Sequence, residues 1–296
     1  MKKFFLIDGS GFLYRAYYAF PSLTDKDGHN VNVIYWFLRM FLKIIQEKPD
    51  YLLIARDAPV KTIRHQEYPE YKANRKKMDD DFKSQIPFTK EIIQKLGVPS
   101  LSIDWYEADD IIATMAKVFK PDPDIVVDIY SSDKDLKQLL DTNVFCVDPM
   151  KNIRIDTKSF IQEFLFEPKY MLDYLALVWD SSDNIKWVAW IWPKKASDLI
   201  KKYQTIDNIY SSLDEMTPDI RQKLEESKEA AMFARSLVEL KDIPELNKQT
   251  IDQIKFELNF DTYKKVLVQE YWFTSFEKSL DEVKKKLLTP QQSSLF

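Results

Sequence analysis

The chain has 296 residues, a formal net charge of −4 and a sequence pI near 5.5, enough length for one large domain or two modest ones with real cores. No run of 18 apolar residues occurs, so no membrane span is expected, and the apolar start Phe4-Phe5-Leu6-Ile7 stops at Asp8 without the cleavage site of a signal peptide. The acidic balance excludes a globally basic, nucleic-acid-coating surface but leaves room for local basic tracks, and Lys and Arg do cluster at 72–77, 194–195 and 201–202.

In chain order, Lys3 to Asp8 reads as a buried strand, and Asn32 to Glu47 carries Val33, Phe37, Met40, Phe41 and Ile44 at helical spacing. Tyr51 to Asp57 is a second strand, and residues 59–81 form a long polar, charged and aromatic segment without a period, the kind that is usually functional. Asp80 to Leu96 is predicted helical with a possible kink at Pro87, Pro99 to Ile103 is a short strand, and Ala108 to Phe119 is a helix. Ile125 to Tyr130 and Val144 to Val147 complete the strands, with a helical segment near Asp133 to Leu140 between them. The lone Cys146 lies in the last strand, cannot make an internal disulfide, and fits a reducing cytoplasmic setting. Strands alternating with helices predict an α/β fold with a mostly parallel sheet covered on both faces. From about Phe160 the pattern is almost wholly helical. The division expected is therefore an α/β domain over 1–160, a helical subdomain over 161–285 and a flexible tail over 286–296.

The acids carry the chemistry. In an open parallel sheet, side chains at the carboxyl ends of strands converge on one crevice. Asp8 closes the first strand and Asp57 the second, Glu107, Asp109 and Asp110 follow the third, Asp133 and Asp135 follow the fourth, and Asp180 and Asp183 open the helical part. Any one of these alone is more simply structural; Glu107-Ala108-Asp109-Asp110, for instance, reads as a helix start favoured by the macrodipole. Together they cannot all ionise without cations. Oxygen ligands without nearby histidine or thiolate favour Mg²⁺ or Mn²⁺. A pair of such ions about 4 Å apart activates water and stabilises the departing oxygen of a phosphodiester, so no protein nucleophile is required. His29 and His65 sit in polar stretches without metal-ligand spacing.

These residues resemble the 5′–3′ exonuclease domain of bacterial DNA polymerase I and the wider flap endonuclease family, a PIN-like fold with a helix-three-turn-helix element. The matching stretches are LIDGSGFLYRAYYAFPSLT, RDAPVKTIRHQEYPEYKANR, YEADDIIATMA, YSSDKDLKQLL and DSSDNI, spread over nearly 4–280. The resemblance implies two-metal hydrolysis of DNA or RNA-primer phosphodiesters near 5′ junctions in replication and repair. Asp8, Asp57, Glu107, Asp109 and Asp110 would serve the first metal region, and Asp133, Asp135, Asp180 and Asp183 the second. Residues 58–82 would form the arch or clamp, with Lys72 and Arg75 as catalytic groups facing the scissile phosphate. Tyr14 and Arg15 would stand beside the substrate terminus, although a core role for the Tyr14 ring is the simpler alternative. Lys194 and Lys195 would meet duplex phosphate at a helix start, near a K⁺ at the helix-three-turn-helix element. The implied partner is branched or nicked DNA with a 5′ flap or RNA primer, bound by a monomer without a membrane.

Two features stand outside that pattern. Only four glycines occur, where about 7% of an ordinary chain would give roughly twenty. All seven tryptophans (Trp36, Trp105, Trp179, Trp187, Trp190, Trp192 and Trp272) stand where the family has, or readily accepts, glycine. The expectation is a gene in which UGA encodes glycine and has been read as tryptophan; the rival is a catalytically impaired DNA-binding or clamp-associated paralogue whose DNA-binding hairpin is plugged by indoles. The second feature is Gln292-Ser293-Ser294-Leu295-Phe296, which resembles a sliding-clamp peptide, with Gln292, Leu295 and Phe296 as the docking residues. Its alternative is a disordered end.

Overall fold

The computed structural model describes residues 1–178, 183–185, 191–248 and 251–288. At its centre is a six-stranded sheet of order β3-β2-β1-β4-β5-β6, made of β1 (Lys2–Asp8), β2 (Tyr51–Ala55), β3 (Ser100–Leu101), β4 (Ile125–Tyr130), β5 (Val144–Asp148) and β6 (Ile153–Ile155). All neighbours run parallel except β6, which is antiparallel to β5. The five parallel strands are those expected, with β2 and β3 shorter than read. The antiparallel β6 was missed because its residues are largely exposed and carry no alternation of buried and open positions.

β1 shows why the sheet is central. Phe4, Phe5, Leu6 and Ile7 are all fully buried, and because side chains alternate along a strand, the two sets enter different cores. Phe4 and Leu6 join one cluster with Ile111, Ile112 and Met115, whereas Phe5 and Ile7 join another with Phe37, Phe41 and Ile92. A strand covered on both faces is continuously apolar.

The second core is built by α1 (Gly9–Tyr18), α2 (Asn32–Ile45) and α4 (Asp80–Lys95); α3 (Ile63–Glu67) lies in the segment before α4, and α5 (Ala108–Phe119) covers the first core. α4 runs through Pro87 as one helix. α1 is not expected from the residue pattern, because Gly9 and Gly11 occupy its first turn. Both are sterically required: a Cβ at Gly9 would lie 2.7 Å from the Ala55 carbonyl oxygen, and one at Gly11 would collide with the Asp8 carboxylate. α3 was also unread, and with it His65 belongs to a short helix, where its Nδ1 lies 2.9 Å from Thr62 Oγ1 as part of a capping box.

After β6 come α6 (Thr157–Phe164), α7 (Met171–Leu177), α8 (Pro193–Tyr203), α9 (Ile206–Ser211), α10 (Pro218–Val238), α11 (Phe260–Tyr263) and α12 (Ser275–Leu288). They do not form one layer. Phe160, Leu175, Ile200, Ile209 and Leu237 extend the first core, while Tyr263, Leu267, Phe276, Leu280 and Val283 belong to the second. α12 is tied to α2 by Arg39 Nη1 donating to Ser279 Oγ at 2.6 Å. The helices expected as one subdomain over 161–285 thus divide between the two faces, because the last of them carry an apolar stripe that completes the packing of α2. No helix among the described residues is long and apolar enough to cross a membrane. Cys146 is buried in β5, and burial pushes its thiol up to about 12.

Candidate active site

The carboxyl ends of the central strands carry the acids. Asp8, last residue of β1, caps α1: its Oδ1 accepts from Gly11 N at 2.8 Å and its Oδ2 from Ser131 Oγ at 2.8 Å, just past β4. Asp57, two residues past β2, donates from its backbone N to Ser10 Oγ and accepts from Ala108 N at its Oδ1, both 2.8 Å. That second bond pins the start of α5 to the end of β2. Asp133 accepts from Asp135 N and is itself held through its N–H to Ser131 Oγ.

Electrostatics show how close these groups are. Burial, with repulsion from Asp57 and Asp133, pushes Asp8 up to about 6 despite its two hydrogen bonds. Burial, then Asp133 and Asp8, raise Asp109 well above the ordinary carboxylate range. Asp8, Asp57, Asp109 and Asp133 therefore share one field, with Glu107 at its edge.

Glu107 and Asp183 are already compensated. Lys72 Nζ lies 2.7 Å from Glu107 Oε1, and Arg75 Nη2 lies 2.5 Å from Asp183 Oδ1. Burial works against the Lys72 ammonium, but Glu107 and Asp183 outweigh it and raise its pKa. Lys72 adopts φ +57°, which aims its chain back across the Tyr71 ring. Tyr71, unrecognised in the sequence, is 3% exposed and places its hydroxyl 3.1 Å from Glu107 Oε2 and 3.0 Å from Asp183 Oδ2. A phenol beside the basic pair was the one available signal. Together these contacts bring residues 71–75, Glu107 and Asp183 to one place.

Asp110 does not join the cluster, contrary to expectation. It is fully buried. Its Oδ1 accepts from Arg64 Nη2 and Lys241 N, and its Oδ2 from Arg64 Nη1 and Glu107 N, at 2.8 to 3.0 Å. All four lone-pair sites are used. Consecutive helical residues point about 100° apart, so Asp109 and Asp110 serve different surroundings. Asp180 lies outside the described residues. Among the described residues no three acidic or histidine side chains already close around one point as a finished metal site, so the expected ring is a field of neighbouring carboxylates. Its donors still suit a hard divalent cation, since they are all oxygens and two of them, Asp8 and Asp109, are raised by desolvation and form no ion pair among the described residues.

The domain descriptions of 5′–3′ exonucleases match consecutive parts of the chain: the N-terminal resolvase-like domain over residues 3–165 and the C-terminal SAM fold over residues 166–259. The chain belongs to the 5′–3′ exonuclease family. A 5′-3′ exonuclease of Aquifex aeolicus is 37% identical, with the whole of both chains aligned, and one of Mycoplasmopsis pulmonis is 34% identical over 95% of each. DNA polymerase I of Caldicellulosiruptor bescii is 34% identical over 97% of this chain, which spans 36% of that protein. Among solved structures, a bacteriophage T5 flap endonuclease in a pseudo-enzyme-product complex with DNA and metal ions has a TM-score of 0.68 at 17% identity, with 97% and 100% of the chains covered. The catalytic core of Rad2 with DNA substrate has 0.60 at 16%, covering 98% and 93%. The fold is accordingly the PIN-like, resolvase-like one with a helical SAM-like part.

Other residues expected to act in this 5′–3′ exonuclease are placed as follows. Tyr14 is 54% exposed on α1, which removes the core alternative, and its ring lies 4.5 Å from that of Tyr18. Arg15 faces Asp148 at 3.8 Å. Lys194 and Lys195 follow Pro193 in the first turn of α8. Gln292, Leu295, Phe296, Trp179, Trp187 and Trp190 lie outside the described residues. Of the remaining tryptophans, Trp105 and Trp272 are half or more exposed and take φ +76° and +57°. Left-handed backbone suits glycine and is strained for an indole-bearing residue. Trp36, by contrast, is helical, stacks on Phe20 and donates from Nε1 to Pro21 O, and Trp192 has an ordinary φ of −72°.

Proposed function

We propose that this member of the 5′–3′ exonuclease family is a Mg²⁺- or Mn²⁺-dependent, structure-selective 5′-nuclease acting as a cytoplasmic monomer on branched or nicked DNA with a 5′ flap or RNA primer. The observation that carries the reading is the group of neighbouring carboxyls around Asp8 and Asp109, raised chiefly by desolvation and further by acidic neighbours, Asp57 and Asp133 on Asp8 and Asp133 on Asp109, beside a basic pair, Lys72 and Arg75. Asp8, Asp57, Glu107, Asp109, Asp133 and Asp135 would hold the cations, joined by Asp183 and, from its place in the sequence, Asp180. When bound, two such cations would supply water activation and neutralise charge on the phosphate.

The chain's own residues do the rest. Lys72 and Arg75, held now by Glu107 and Asp183, would exchange those carboxylates for the scissile phosphate, so that substrate charge replaces protein charge. Residues 58–82 would act as the clamp around the 5′ strand. The exposed Tyr14 ring offers a stacking face for an unpaired base, with Arg15 beside it. Lys194 and Lys195 at the start of α8 would grip duplex phosphate, with K⁺ at the adjoining helix-three-turn-helix turn. Gln292, Leu295 and Phe296 would dock on a sliding clamp. Cleavage of flap, nicked and single-stranded oligonucleotides with Mg²⁺, and with chelator in its place, tests the reading; metal-independent cleavage, or none on any substrate, rejects it.

The tryptophans bear on activity. The left-handed backbone at Trp105 and Trp272 supports glycine as the native residue there, and by extension at the positions read as UGA codons. UGG in the coding DNA would defeat that account and leave the plugged-hairpin alternative. A chain with glycine at all seven tryptophan positions is expected to cleave flaps better than the tryptophan form.

A further inference from the structure

Arg64 lies in α3, eight residues before Lys72, and is 3% exposed. A buried guanidinium is costly unless every donor is met. Here all five are. Nη1 and Nη2 form a two-pronged pair with Asp110, each at 2.8 Å, and Nη1 also reaches Glu107 Oε2 at 3.3 Å. Nε donates to Leu237 O at 2.7 Å and Nη2 to Glu239 O at 2.8 Å. Those carbonyls end α10, where the helix dipole favours a cation. One side chain therefore ties the first turn of α5 to the end of α10, and nothing in the cleavage reading uses it.

We propose that Arg64 is a positioning residue that sets the affinity of the site for divalent cations through Glu107. Arg64 holds Oε2 of Glu107 from the buried side, while Lys72 holds Oε1. When Lys72 turns to a phosphate, Oε1 is released and Oε2 stays fixed, so the carboxylate meets a cation without first having to be ordered. Lysine at this position keeps the charge but cannot span Asp110, Glu107 and two carbonyls, because its single ammonium has three donors. The joint also makes cation affinity depend on the seating of α10, which links the helical part to the acids.

This inference rests on the reading of Glu107 as a cation ligand, and the test separates the two. Mn²⁺ is titrated calorimetrically into the full chain, and flap cleavage is followed against Mn²⁺ concentration, for the wild type, Arg64→Lys, Arg64→Gln and Thr114→Ala. Thr114 bridges the same joint, donating to Asp110 O and accepting from Ile243 N, without touching Glu107. Expected are at least tenfold weaker Mn²⁺ binding and a matching rise in the metal midpoint for both Arg64 variants. KM for the flap should hold, saturating Mn²⁺ should restore kcat in Arg64→Lys, and Thr114→Ala should lose thermal stability with its midpoint unmoved. If Arg64→Gln does not fold, Arg64→Lys decides. Wild-type Mn²⁺ affinity in a folded Arg64→Lys overturns the proposal alone, as does an equal midpoint shift in Thr114→Ala. A wild-type chain that binds no Mn²⁺ overturns the cation reading and the proposal with it.

Discussion

Two halves of the acidic field are built differently. Asp8 is buried and Asp109 partly so, and desolvation together with nearby carboxylates, Asp57 and Asp133 for the first and Asp133 for the second, raises both; around Glu107, Asp110 and Asp183 every acid faces Arg64, Lys72 or Arg75. Among the described residues the first half forms no ion pair of its own, Lys72 acting on Asp109 only at a distance, whereas the second half is paired with the protein's own cations. A cation is needed most where the acids have no direct partner, and a phosphate is best met where the chain's own cations can be released.

The largest break in this contrast comes from the uncompensated half. Asp109→Ala should lower flap cleavage by about a thousandfold or more while leaving a folded protein, checked by single-turnover kinetics and circular dichroism. In the compensated half, Lys72→Ala should cost about a hundredfold in kcat, yet bind Mn²⁺ in the free protein somewhat more tightly, because Glu107 loses its competitor. Weaker Mn²⁺ binding in that variant would show that Lys72 orders the site instead of guarding it.

The pH dependence sharpens the same division. Asp8 titrates near 6 in the fold, against about 3.9 in an unfolded chain. Between those values the native state holds more protons, so this group's contribution to stability falls as pH rises from about 4 to 6 and is level above. In chelator, the melting temperature of Asp8→Asn relative to wild type should climb by a few degrees across that window, and Mg²⁺ should stabilise wild type more at pH 7 than at pH 5. A flat difference between the two proteins would show that burial and the neighbouring Asp57 and Asp133 do not raise Asp8. The smallest effect concerns the backbone. Trp272→Gly should gain about 1 kcal/mol in urea unfolding by relieving the left-handed strain, whereas Trp36→Gly, in a helix and stacked on Phe20, should lose stability.

Much of this architecture was readable in advance, for identifiable reasons. The parallel strands are unbroken apolar runs, and Asp8 announces itself as the charge that ends one. Periodicity failed where local chemistry was overridden by steric demand, as at Gly9 and Gly11, which look like helix breakers and open α1 because nothing larger fits. Adjacent acids looked equivalent in Asp109-Asp110 because a sequence does not display helical phase. Arg64 was invisible for a related reason. Its partners stand 46 and more than 170 residues away, and the segment around it has no period to mark a buried position.

The return of α12 to α2 has a practical consequence. The family's two domain descriptions end at residue 259, yet Tyr263, Phe276, Leu280 and Val283 plug the sheet face opposite α5. A fragment cut at that boundary would keep every proposed ligand and still present a bare oily cleft on its far side, so it should clump on expression where the longer chain stays dispersed.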